Sequence, residues 1–118
     1  MRILITRPLE DATSMAERLR ALGYSPVIVP LLTIHFRDGP EISLDGVQAI
    51  LTTSANGVRA IARRTQRREI PVFAVGPQTA EAAKAHGFSM IHDADGDAEA
   101  LAAAIPKWTV PDRGILLH

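Results

Sequence analysis

An α/β fold built on parallel strands is what this 118-residue sequence predicts, and three observations carry the prediction. Short apolar runs rich in Val and Ile alternate along the chain with apolar residues at helical spacing. Each run gives way to Thr, Ser, Gly or Pro just before the helical spacing begins. Glycines stand where helices should stop, at Gly23 and Gly87. Strand, helix and strand within about thirty residues make a βαβ unit, whose two strands must run parallel.

The elements follow in order. Residues 2–6 form a buried strand. Pro8 opens a turn or the first helical position, and Asp11 or Thr13 is the candidate cap of a helix running to Leu22. Its apolar residues Met15, Ala16, Leu19 and Leu22 share one face. Residues 25–32 are the second strand. Residues 33–46 then break the rhythm: a strand is expected over 33–36, and Arg37-Asp38-Gly39-Pro40 is a turn signal. This stretch is expected to cross between two lobes, with residues 1–33 in the first, 34–38 connecting, and 39–118 in the second. A strand through Ala49, Ile50 and Leu51 leads into a helix from about Asn56 to Thr65. Residues 71–75 are a strand, Gly76-Pro77 a turn, and residues 79–85 a helix. Residues 89–92 form a short strand, and the loop 93–97 caps a helix over 98–105 that Pro106 should end. Residues 114–118 read as a final strand. A parallel strand normally hands over to a covering helix, so a chain stopping there predicts a fragment of something longer.

Charge and composition exclude several classes. Thirteen basic and thirteen acidic residues balance to zero, which argues against a general nucleic-acid binder. No apolar run has the length of a membrane span, no secretory signal is recognisable, and the expectation is a cytoplasmic protein. Without cysteine there is no disulfide and no thiolate metal site. The histidines His35, His86, His92 and His118 lack metal-ligand spacing. The glycine-rich nucleotide fingerprints and the nucleophile elbow are also missing. Loop 93–97 lacks the glycine position and the distal glutamate of a calcium loop. The block Arg59, Arg63, Arg64, Arg67 and Arg68 reads as a solvated helix face and its last turn.

Two strand-to-helix turns remain: Thr53-Ser54-Ala55-Asn56-Gly57 and Gly76-Pro77-Gln78-Thr79-Ala80. In an open parallel sheet such turns all lie at the carboxyl edge, where ligands bind. Both present backbone N–H groups and small polar side chains, and neither carries a strong acid or base. The chemistry this suits is holding an anion. No catalytic residue is identified. A receiver-like binding module is disfavoured because Thr6 and Thr53 stand where it needs aspartates.

Four segments together resemble the uroporphyrinogen-III synthase family: Ile5-Thr6-Arg7-Pro8, Pro30-Leu31-Leu32-Thr33-Ile34, Leu51-Thr52-Thr53-Ser54-Ala55-Asn56-Gly57-Val58 and Ala74-Val75-Gly76-Pro77-Gln78-Thr79-Ala80. Gly87 and Asp97-Ala98-Glu99-Ala100-Leu101 extend the match in order. Members are about twice this length, so the resemblance covers an N-terminal half. It implies a two-lobed α/β fold, with flavodoxin-like architecture over residues 39–118. It also implies cofactor-free and metal-free dehydrating cyclisation of the linear tetrapyrrole hydroxymethylbilane, with inversion of ring D. The substrate-binding residues it implies are Arg7, Thr53, Ser54, Asn56, Gly76, Gln78 and Thr79, with Pro77 in the second turn. The family's proposed tyrosine proton donor has no counterpart here; Tyr24 does not match it and is expected to pack at a helix end. The fragment alone is therefore expected to be inactive. The partner is the tetrapyrrole, with no nucleic acid and no membrane. The full-length protein is expected to be monomeric, while exposed surface offers the fragment a route to self-association.

Overall fold

The computed structural model describes residues 1–118 and divides into two compact units, Met1–Phe36 and Arg37–His118. In the first unit, β1 (Arg2–Ile5), α1 (Leu9–Ala21) and β2 (Ser25–Ile28) make one βαβ unit. The strands are parallel, with Arg2 opposite Ser25 and Ile5 opposite Ile28. Ile5 packs on the small residues Ala12 and Ala16 of α1, with Leu19 and Ile28 beside them. Alanines at that spacing let the helix lie close to the strands.

Three local expectations need correction here. Neither Asp11 nor Thr13 caps α1: the helix starts directly after Pro8, whose carbonyl accepts from the N–H groups of Asp11 (3.0 Å) and Ala12 (2.9 Å). Proline's fixed φ already suits a helix entry, so the helix begins earlier than a polar cap would place it. The second strand stops at Ile28. Val29 N–H still donates to Ile5 O, but Leu31 N–H donates to Thr6 O, one residue short of the regular parallel register. Residues 33–36 form no strand, because no neighbouring strand pairs with them. Gly23, at φ 84°, closes α1 in the left-handed conformation, and Tyr24 beyond it stays more than a third exposed.

The second unit contains β3 (Val47–Thr52), α2 (Ala55–Arg63), β4 (Val72–Ala74), α3 (Pro77–Ala85), β5 (Ile91–Asp93), α4 (Ala98–Trp108) and β6 (Ile115–Leu117). Its sheet runs β5-β4-β3-β6, all parallel. Alternation along β3 and β4 sorts the core into two layers. Ile50 and Val72 pack with Leu44, Val58, Ile61, Ala83 and Phe88, under α2 and α3. Ala49 and Phe73 face the other way and pack with Leu101 of α4. Both faces are covered, which is why the strands read as continuous apolar runs. Chain order reverses between β3 and β6, so the topological switch point lies there.

Helix α4 passes through Pro106 and ends at Trp108, against the expectation that proline ends it. The proline sits in the last turn, and the extra residues bring the Trp108 ring onto Phe73 (5.2 Å) and His92 (5.1 Å). Thr109 closes the end, donating from N–H and Oγ1 to Ile105 O at 3.0 and 2.8 Å. Tertiary aromatic packing outweighs the local cost of proline.

The arginine block is also more than a solvated face. Arg68 donates to Ala62 O, Thr65 O and Arg67 O beyond or near the end of α2, and to His86 O at the end of α3. Its guanidinium lies over the Phe88 ring at 4.9 Å. Arg64 donates twice to Pro40 O, and Arg67 pairs with Asp45 and Glu69. These cations saturate helix C-terminal carbonyls and tie loops down.

Candidate functional site

The carboxyl edge of the second unit's sheet gathers three strand-to-helix turns. Val75 N–H donates to Thr52 O (3.0 Å), and Gly96 N–H donates to Val75 O (3.0 Å). The turns after β3, β4 and β5 are thereby laced side by side.

In the first turn Ser54 is the N-cap of α2, extended at φ −153° and ψ 152°, with its Oγ accepting from Gly57 N–H at 3.0 Å. A capping serine satisfies one of the early N–H groups; those of Ala55 and Asn56 have no partner within the helix and point outward from its positive end. Thr53 is exposed beside them. Asn56 Oδ1 accepts from Arg59 Nη1 at 2.7 Å, which orients the amide on the helix. Thr52, immediately upstream, is 5% exposed, and its Oγ1 has no hydrogen-bond partner. A buried hydroxyl left unpaired costs about 1–3 kcal/mol.

In the second turn Gly76 is the N-cap of α3, and Pro77 follows at the first helical position. Gly76 has no side chain to cap the helix, so no side-chain cap covers the N–H groups at this positive end. Packing does not demand glycine there: an added Cβ would make only ordinary contact, 3.6 Å from Gly96 O. Gln78 is exposed, while the Thr79 side chain is 4% exposed and turned into the fold, so Thr79 offers its backbone at the edge.

The third turn differs in charge. Asp97 Oδ1 caps α4 by accepting from Ala100 N–H (2.9 Å), and Asp93 Oδ1 accepts from Asp95 N–H (2.7 Å). Three exposed carboxylates at this end repel an anion, whereas the first two turns present only N–H groups, hydroxyls and amides. The edge is therefore graded, with its anion-compatible part nearest the switch point.

At that switch point a pocket of about 270 Å³ opens between β3, α2 and β6, lined among others by Thr52, Thr53, Ser54, Gly57, Leu117 and His118. Thr52 and His118 were not singled out from the sequence. That His118 comes to lie beside Thr52 depends on β6 pairing with β3 across more than sixty residues, a long-range fact without local signature. Arg7 belongs to the first unit, where it follows β1, half-buried. Among the residues expected to bind substrate, the second unit thus brings Thr53, Ser54, Asn56, Gly76, Gln78 and Thr79 to one edge. No group of three or more His, Cys, Asp or Glu side chains is arranged to hold a metal ion, and no helix is long and apolar enough to cross a membrane.

Comparison with known proteins adds a family. A profile described as uroporphyrinogen-III synthase HemD matches residues 13–118. A protein of Methanocaldococcus jannaschii named "Putative uroporphyrinogen-III synthase" is 38% identical over 58 residues, covering 49% of this chain and 24% of that protein. The match thus spans about a quarter of that relative's length.

Proposed function

The chain belongs to the uroporphyrinogen-III synthase family, and from that premise we propose that it supplies the substrate-holding edge of a cofactor-free cyclising lyase acting on hydroxymethylbilane. The reaction releases the terminal hydroxyl as water, inverts ring D and closes the macrocycle to uroporphyrinogen III. Its difficulty is one of orientation. The flexible chain closes unaided to the uninverted isomer, so both ends must be held while ring D turns over. Fixing such geometry is worth up to about 7–11 kcal/mol.

The observation that carries this reading is the adjacency of two helix N-termini, α2 and α3, free of carboxylates and laced together through Val75 and Thr52. Each can hold a propionate or acetate side chain of the substrate through backbone N–H groups, with no cation required. Thr53, Ser54, Asn56 and Gln78 surround these N–H groups as side-chain partners, Gly76 and Thr79 contribute backbone, and Arg7 is the corresponding group of the first unit. Substrate carboxylates grouped on one side of the graded edge would fix which end of the bilane lies where. The protein acts in the cytoplasm on a tetrapyrrole partner.

The test is a coupled assay on the longest natural polypeptide that carries this chain, with hydroxymethylbilane generated in situ and the isomers separated. Uroporphyrinogen III is expected, and the 118-residue chain alone is expected to give little. Thr53→Ala and Gln78→Ala, both at exposed positions, should each lower kcat/KM about tenfold with thermal stability unchanged. Isomer I alone, formed at the uncatalysed rate, would sink the assignment and leave a non-catalytic anion-binding domain as the reading.

A further inference from the structure

The opposite edge of the same sheet holds a second pocket, of about 380 Å³, that the proposed cyclisation does not use. It opens at the amino ends of β3, β4 and β5, on the face covered by α4. Its floor is aromatic: Phe73 meets His92 edge-on at 5.3 Å, and Trp108 lies 5.2 Å from Phe73 and 5.1 Å from His92. The Met90 side chain, nearly half exposed, forms an adaptable rim. No carboxylate lines the pocket, and Arg113 is its only fixed charge.

The wall carrying Arg113 is held in place. Gln48, on β3, accepts from Val110 N–H through Oε1 (2.7 Å) and donates from Nε2 to Gly114 O (3.2 Å), gripping both ends of the turn. With both ends of its amide so engaged, Gln48 acts here as a brace. The floor is fixed by α4 running on past Pro106. A pocket whose aromatic floor and cationic wall are pinned by separate elements loses little freedom when it is filled. Its volume lies in the range of small-molecule sites, roughly 300–1,000 Å³.

We infer that this pocket binds a small flat aromatic anion, its ring against Trp108 and His92, which the buried Phe73 backs from beneath, and its carboxylate or sulfonate against Arg113. The ring faces supply stacking and edge contacts. The guanidinium supplies a forked, charge-assisted pair that a neutral ligand cannot make. The site stands apart from the turns at the carboxyl edge, and its test does not depend on the lyase reading.

Trp108 is the single tryptophan of the chain, so its indole N–H is an isolated reporter of the pocket. The experiment titrates the isotope-labelled protein with naphthalene-2-carboxylate and, separately, with its neutral counterpart naphthalene-2-methanol, following that resonance. A saturable shift is expected with the carboxylate, and about tenfold weaker binding with the alcohol. Arg113→Met, at an exposed position, should weaken the carboxylate about fivefold to tenfold and leave the alcohol unchanged. Lys107→Met removes a nearby exposed charge outside the lining and should change neither. Absence of a saturable shift overturns the proposal. So does equal affinity for carboxylate and alcohol, or an Arg113→Met protein that binds the carboxylate as tightly as the parent.

Discussion

Replacing Arg68 should destabilise the second unit far more than its place in a run of surface arginines suggests. Its guanidinium donates to His86 O and Thr65 O at 2.7 Å, to Ala62 O at 2.9 Å and to Arg67 O at 3.1 Å, and it covers the Phe88 ring. These carbonyls lie at or just beyond the C-termini of α2 and α3, where no N–H of the helix follows to pair with them. A hydrogen bond to a charged group is worth about 1.5–3 kcal/mol in a protected setting. Arg68 is only half-buried and the freed carbonyls regain water, so the four bonds sum to far less than four such terms. With about 0.5–1 kcal/mol from the ring contact, Arg68→Met should cost about 3 kcal/mol. For a chain of this size that corresponds to a Tm lower by roughly 10–15 °C. Urea unfolding followed by circular dichroism measures it directly. Arg68→Lys should recover less than half, because a single ammonium cannot reach carbonyls on both helices. A loss under about 0.5 kcal/mol for the methionine variant, or full recovery by lysine, would refute the reasoning.

Other perturbations follow from single groups. Thr52→Val removes the buried Oγ1 that has no partner and should raise stability by about 1 kcal/mol, read from the urea midpoint; a loss of that size would mean that the hydroxyl is paired. Gly114 holds φ 147°, and an added Cβ would lie 2.5 Å from Gly46 O and 3.2 Å from Gln48 N. Gly114→Ala should therefore push β6 off β3 and cost about 2 kcal/mol or more, with amide exchange accelerating first in residues 115–117. Glu69 is held below its ordinary value of 4.5, first by hydrogen bonding to its own backbone N–H and then by the Arg67 side chain. A depressed carboxylate stabilises the fold above its unfolded pKa and loses that contribution as pH falls through the folded value. Glu69→Gln should therefore flatten the stability profile below about pH 4.5 and leave its shape near neutrality alone.

What the sequence determined by itself is the list of elements, their order and the chemistry of the turns. Apolar run length, helical spacing, and punctuation by Pro8, Gly23, Gly76 and Gly87 act over a few residues, so they are legible locally. The Thr53-to-Gly57 turn could be recognised as an anion-compatible helix start on the same ground. Features settled by partners distant in the chain could not. Pro106 reads as a stop, yet Trp108 continues the helix because Phe73 and His92 wait for its ring. Residues 33–36 have the composition of a strand and no strand to pair with. Arg68 reads as solvated until two helix ends converge on it. Only the tertiary structure decided that β6 lies beside β3, placing Leu117 and His118 next to Thr52 and making that junction the switch point. Strand order in a parallel sheet is set by which apolar faces and ladders close together, and a residue's own neighbours in sequence carry no record of it.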